Sequence, residues 1–143
     1  MRFFVAGDPV SQGSMKAYVA GGTARVVHSS PKGLAFWRQR IATEAQAAMD
    51  GASPLSGAVS VQATFYLPRP KSRAKKYLWP DRRPDVDKLA RSLLDALTAV
   101  AFEDDNQVID LRVSKAYASE DHPPGVEVEV AHVLAVFRIS ETG

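Results

Sequence analysis

The sequence predicts an α+β fold, a single domain over residues 1–143 with a mixed sheet of about five strands covered by two main helices. Three observations carry this expectation. Two stretches place apolar residues every three or four positions, several others alternate with a period of two, and the order is strand, strand, helix, strand, helix, strand, strand.

Residues 2–6 (RFFVA) read as a short first strand, and the run GDPVSQGSMK after it as a loop. Residues 24–28 (ARVVH) give a weak second strand. Ser30 and Pro31 supply an N-cap and a proline at the first helical position. Leu34, Trp37, Ile41, Ala45, Ala48 and Met49 then recur at helical spacing, so the first helix buries one stripe and stops near Asp50 and Gly51. Val59, Val61, Ala63, Phe65 and Leu67 alternate with Ser60, Gln62, Thr64 and Tyr66, as in a strand with one face on the core. The second helix is expected at about 86–100, with Leu89, Leu93, Ala96, Leu97 and Val100 as its apolar stripe. Asp87, Arg91 and Asp95, four residues apart, share a line on its other side. Residues 103–107 (EDDNQ) make a turn. Residues 108–117 alternate again, with Ile109, Leu111 and Val113 expected inward, and 119–125 (SEDHPPG) turn into a last strand expected over 126–139.

Composition removes several functions. With no cysteine there is no disulfide scaffold, zinc ribbon, iron–sulfur cluster or thiol nucleophile, and three scattered histidines (His28, His122, His132) argue against a His-rich metal site. A hydrophobic fraction of 45% is enough for a packed core. No apolar run approaches the roughly 18 residues that cross a bilayer, and the start MRFFVAGDPV lacks a secretory apolar segment. A cytoplasmic protein without a membrane partner is expected.

The formal charge of +2 is unevenly spread. Between residues 69 and 91 lie nine basic side chains (Arg69, Lys71, Arg73, Lys75, Lys76, Arg82, Arg83, Lys88, Arg91) and three acidic ones (Asp81, Asp85, Asp87), a net +6 that leaves −4 on the remainder. Charge concentrated in this way is the footprint of a polyanion-binding surface. Pro68, Pro70, Pro80 and Pro84 make residues 68–83 an irregular loop, longer than ordinary connections, and Tyr77 and Trp79 within it are suited to stacking on bases.

Asp85 and Asp87 sit inside the basic block, just after Arg-Arg-Pro. With Asp85 extended and Asp87 opening a helix, the two carboxylates converge, and two hard oxygen ligands on a rigid element suit Mg²⁺. Glu103, Asp104 and Asp105 offer a third acidic group beyond the far end of the same helix. Carboxylates beside a phosphate-gripping loop are what metal-assisted phosphodiester hydrolysis requires. A plainer reading stays open on the residues alone: Asp85 or Asp87 as an N-cap, Arg91 with Asp95 as an i,i+4 pair, and 103–105 as a polar turn. A haloacid-dehalogenase-type phosphatase is excluded because no hydrophobic strand precedes the Asp-x-Asp, and an EF-hand because the glycine and glutamate of its loop are missing.

The run RRPDVDKLARSLLDALTAVAFEDDNQVIDLRVSK, residues 82–115, resembles the signature region of the RusA-type Holliday junction resolvases, small Mg²⁺-dependent endonucleases often carried by prophages. GDPVSQGSMK, the SSPKG turn and the Trp-bearing helix resemble the N-terminal half of the same family. The resemblance implies a RusA-like fold in which Asp85, Asp87 and Asp105 hold Mg²⁺, for which Mn²⁺ can substitute. The family's functional lysine one helical turn after the second aspartate is here Arg91, which keeps the charge but cannot donate a proton, so an electrostatic catalytic role is expected. Lys88 stands where asparagine is common, and Asp104 and Asp95 are candidates for an outer ring around the metal. DNA contacts are expected from Arg69, Lys71, Arg73, Lys75, Lys76, Arg82, Arg83, Lys88 and Lys16. Two symmetric nicks in a four-way junction imply a homodimer working on branched DNA. The alternatives are a catalytically weak or silent branched-DNA-binding protein, or a metal nuclease for other branched phage replication intermediates.

Overall fold

In the computed structural model, which describes residues 1–13, 15–20, 22–28 and 32–134, the elements along the chain are β1 (Arg2–Ala6), β2 (Met15–Ala20), β3 (Thr23–His28), α1 (Leu34–Met49), β4 (Val59–Leu67), α2 (Val86–Leu97), a 3₁₀ turn (Asp105–Gln107), β5 (Val108–Tyr117) and β6 (Gly125–His132). For β2 and β3 only the backbone is described. Four strands form one mixed sheet in the order β1-β6-β4-β5, and β2 pairs with β3 as a separate antiparallel hairpin. The fold is therefore α+β, with four strands in the main sheet where about five were expected.

β4 organises the core. Its five apolar alternates are all buried, whereas Gln62 is exposed and Ser60, Thr64 and Tyr66 are half-buried. It runs antiparallel to β6, setting Ala63 against Val128 and Phe65 against Val126, and parallel to β5. The parallel pair is joined through α2, the usual crossover that returns a chain to the same sheet direction. Both helices lie on the face that carries Val61, Phe65 and Val128. Trp37, Ile41 and Ala45 of α1 and Leu89, Leu93 and Leu97 of α2 complete the core with them. The opposite face of the sheet carries Gln62, Thr64, Glu127 and Glu129. On the outer pair of strands Arg2 donates to Glu129 at 2.9 Å, a bond that raises the guanidinium pKa and lowers that of the carboxyl, first through the hydrogen bond and then through charge.

Several expectations are corrected. Met15 and Lys16, assigned to a loop, begin β2, and the hairpin that they enter turns at Gly22, with φ 80°. α1 begins at Leu34 behind Gly33, whose φ of 85° is open to glycine, and not at Pro31; Ser30 and Pro31 lie outside the described residues. Ala48 is exposed. α2 stops at Leu97, where Thr98 turns extended and its hydroxyl donates to the Leu94 carbonyl at 2.8 Å, so Val100 packs on the core from a turn. β6 is described as far as His132, and 135–139 of the expected last strand lie outside the described residues. Ile109 and Leu111 do not point into the core: they are 54% and 44% exposed, Ile109 because a bulge between the Val59–Val108 and Ser60–Asp110 pairs takes it out of the alternation, Leu111 because β5 is the sheet's outer strand and α2 does not cover it there.

Candidate active site

The loop at 68–84 connects β4 to α2 and closes over the carboxyl end of the β4–β5 pair, where an α/β crossover places ligand sites. Its shape is held from within. Arg69 donates to the carbonyls of Ala74 and Tyr77 at 3.2 and 2.7 Å, and its guanidinium lies 4.2 Å from the centre of the Tyr117 ring. Arg73 is turned inward, with its side chain 6% exposed, and bonds Asp81 at 2.6 Å while covering the Tyr77 ring. Of the expected phosphate contacts, Arg73 is thus engaged inside the loop and Arg69 is its internal brace. Lys71, Lys75, Lys76, Arg82 and Arg83 remain exposed around it, beside Tyr77, Leu78 and Trp79, the last 69% exposed. Lys16 lies on β2, whose side chains are not described.

The end of the loop is fixed by a residue that sequence reasoning passed over. Lys115, on β5, donates from Nζ to the carbonyls of Arg82 and Pro84 at 2.6 and 2.8 Å, clasping the chain immediately before Asp85. A signal was present: Lys115 shares the phase of Leu111 and Val113 and pairs in register with Phe65, so a charged group is carried on the helix-covered side. From the N-terminal side, the Gln12 amide donates to the Lys88 carbonyl at 3.0 Å, and the Gln12 side-chain oxygen is buried without a partner.

Asp85 occupies the N-cap position of α2 with extended φ and ψ of −73° and 140°, yet its carboxylate makes no capping bond. It is half exposed and meets Lys88 Nζ at 3.5 Å. Asp87 lies in the first turn and is exposed, and Arg91 follows one turn later on the same side. Among the described residues Arg91 and Asp95 form no ion pair, so the plainer reading of these groups as a cap and an i,i+4 pair is not what they do.

Asp105 is placed differently. The 12 residues of α2 rise about 18 Å, and Asp105 lies past the helix's far end, sharing a shallow depression with Arg38, Asp95 and Thr98. Asp104 caps the 3₁₀ turn, accepting from the Asn106 amide at 2.9 Å, and Gln107 closes the capping box while donating to the carbonyls of Leu55 and Gly57. The chain therefore places Asp85 and Asp87 at the start of α2, and Asp105 beside Asp95 and Asp104 near its other end. Among the described residues no three acidic or histidine side chains are grouped to hold a metal ion.

Helices on one face of the sheet, an exposed cationic loop at one end and two carboxylates at the start of α2 make up the candidate site. The sequence matches the model of the family described as Endodeoxyribonuclease RusA over residues 6–131. It is also 34% identical to the protein of Bacillus subtilis (strain 168) named Uncharacterized protein YqaN, over 94% of this chain and 98% of that one. The chain belongs to the RusA endodeoxyribonuclease family, whose general activity is nucleolytic resolution of Holliday junctions. Among the described residues no helix is long and apolar enough to cross a membrane.

Proposed function

We propose that this chain is a Mg²⁺-dependent endonuclease, with Mn²⁺ as a substitute, that resolves four-way DNA junctions by paired symmetric nicks as a cytoplasmic homodimer. The observation that carries this reading is the pair Asp85 and Asp87, free of capping bonds at the start of α2 and adjoining the exposed cations of the loop. Two accessible carboxylates with the remaining coordination positions open fit a hard octahedral cation that keeps water and phosphate ligands. Bound there, Mg²⁺ supplies charge neutralisation and a more acidic water.

The chain's own residues do the rest. Lys71, Lys75, Lys76, Arg82 and Arg83 grip the backbone phosphates, and Tyr77 and Trp79 stack on bases exposed at the branch point. Arg91 holds the scissile phosphate in its planar fork and offsets the negative charge that grows on the leaving oxygen. Lys88 balances Asp85 until the cation arrives. Water oxygen attacks phosphorus as the bond to the 3′ oxygen breaks, leaving a 5′-phosphate and a 3′-hydroxyl.

The test is nicking of end-labelled four-way junction, flap and linear duplex side by side, with Mg²⁺ and with chelator. The expected result is symmetric junction cleavage that needs the cation and is lost in Asp85→Asn. Junction binding without nicking makes the chain a silent junction binder, and equal cleavage of flaps makes it a nuclease of other branched intermediates.

A further inference from the structure

The loop between β4 and α2 does more than carry cations: together with the turn after β1 it walls a cavity of about 230 Å³. Five of the lining residues are prolines, Pro9, Pro68, Pro70, Pro80 and Pro84, and the Tyr117 ring stands among them. Leu67 and Pro80 are buried and form its floor, while Ser72, Arg82 and Arg83 are exposed at its mouth. Prolines fix their own φ and carry no amide donor, so these walls are stiff and apolar before anything enters. The two inward arginines keep them in place. Arg69 ties Ala74 and Tyr77 together and lies against Tyr117, and Arg73 holds Asp81 next to Pro80. Arg73 Nε is itself buried without a partner, so the wall contains a donor that its own loop leaves unmet.

Size, walls and position define the occupant. The volume lies below the about 300–1,000 Å³ of ordinary small-molecule pockets, which leaves room for a single flat ring system. A free phosphate would lose its hydration against proline and tyrosine without gaining bonds there. A nucleobase has apolar faces for those walls and polar atoms only along its edge. A base pair is too large, so the base must be unpaired or turned out of the helix. Pro84 lines the cavity and the next residue is Asp85, about 3.8 Å further along the backbone. A base held there belongs to a nucleotide beside the phosphate that Asp85 and Asp87 address. Asp8 is the one carboxylate of the lining among the described residues. Ionised, it only accepts hydrogen bonds, so it meets the exocyclic amine of guanine, adenine or cytosine and is opposed by the two carbonyls of thymine.

We propose that this proline-walled cavity receives one unpaired, amine-bearing base next to the nicked phosphate, and that Asp8 selects it. The inference rests on the junction-nuclease reading above and adds a base preference to it.

The test begins with the intact protein and four-way junctions that differ only in the nucleotides flanking the nicked phosphate. At one of these positions thymine or an abasic sugar is expected to slow nicking about fivefold or more relative to guanine, adenine or cytosine. 2-Aminopurine, which carries the amine, reports entry without chemistry: with chelator present, its fluorescence is expected to rise on binding when it stands at that position, and not when it stands further along the arm. Asp8→Asn, whose amide both donates and accepts, is expected to bring thymine level with the other bases. Ser72→Phe, which fills the mouth, is expected to remove the fluorescence rise. Equal nicking across the whole set, or no rise at any position near the branch, overturns the proposal. A thymine penalty that Asp8→Asn leaves unchanged overturns Asp8 as its cause. A fluorescence rise on a junction that is never nicked in Mg²⁺ overturns the nuclease reading and leaves the base site standing, which is a separate result.

Discussion

Replacing Lys115 with methionine keeps the length and apolar stem of the side chain and removes its three donors. Two charge-assisted bonds disappear, at 2.6 Å to the Arg82 carbonyl and 2.8 Å to the Pro84 carbonyl. Bonds to a charged group contribute about 1.5–3 kcal/mol each when well shielded. Here the side chain is half-buried and the Arg82 acceptor is exposed, so both carbonyls regain water when the clasp is lost. A combined loss of about 1–2 kcal/mol is expected for the pair. In urea unfolding that corresponds to a midpoint lowered by roughly 0.5–1 M with unchanged slope. Lys115→Arg should recover part of it. The loop end is no longer held next to Asp85, so the Mg²⁺ concentration for half-maximal nicking should rise at the same time. A midpoint shift under about 0.2 M, or unchanged Mg²⁺ dependence, would refute the assignment of Lys115 as the clasp of the site.

Other expectations follow from single contacts. Arg73→Met should lower stability by about 1–3 kcal/mol, since Asp81 and the Tyr77 ring lose their partner, yet leave the salt dependence of junction binding unchanged; alanine at Lys75, Lys76, Arg82 and Arg83 should do the reverse, flattening the slope of log K against log salt by up to about 0.9 per lost contact. Gly125→Ala brings a Cβ against the Val5 carbonyl and the Phe4 ring, and should cost more than about 3 kcal/mol, seen as a collapse of thermal stability. Leu93→Ala in the core should cost about 2–5 kcal/mol in the same measurement. Glu129 has a lowered pKa in the folded chain, so its contribution is present above the ordinary glutamate range and lost as pH falls through the lowered value; the acid loss of Tm should be shallower for Glu129→Gln.

β4 could be read residue by residue because both of its faces are defined, one by core and one by solvent, so alternation and burial coincide. β5 shows the limit of the same rule. Periodicity gives the phase of Leu111 and Val113 but neither the bulge that takes Ile109 out of it nor how far a helix extends across the sheet, and α2 leaves Leu111 exposed. The hairpin was hidden by a run rich in glycine and serine, although the Gly21-Gly22 pair is a turn signal flanked by residues suited to strands. In the site, Asp85 and Asp87 stand out in the sequence because they lie amid nine cations, and the structure places both at the start of α2 with Asp85 making no capping bond. Composition does not separate an arginine that faces DNA from one that braces a loop, so Arg69 and Arg73 were counted with the others. The position of Asp105 depends on helix length, which spacing along the chain supplies only once the end of α2 is known.

The face of the sheet opposite the helices has a kinetic meaning. Glu127, Glu129 and Arg2 lie on it, so its charges largely offset one another, while the loop between β4 and α2 presents its exposed cations at one end of the molecule. A polyanion is therefore drawn to one end of the molecule and not to that face, and the molecule experiences a torque before any contact is made. Encounters become oriented, so added salt should slow association more than it speeds release.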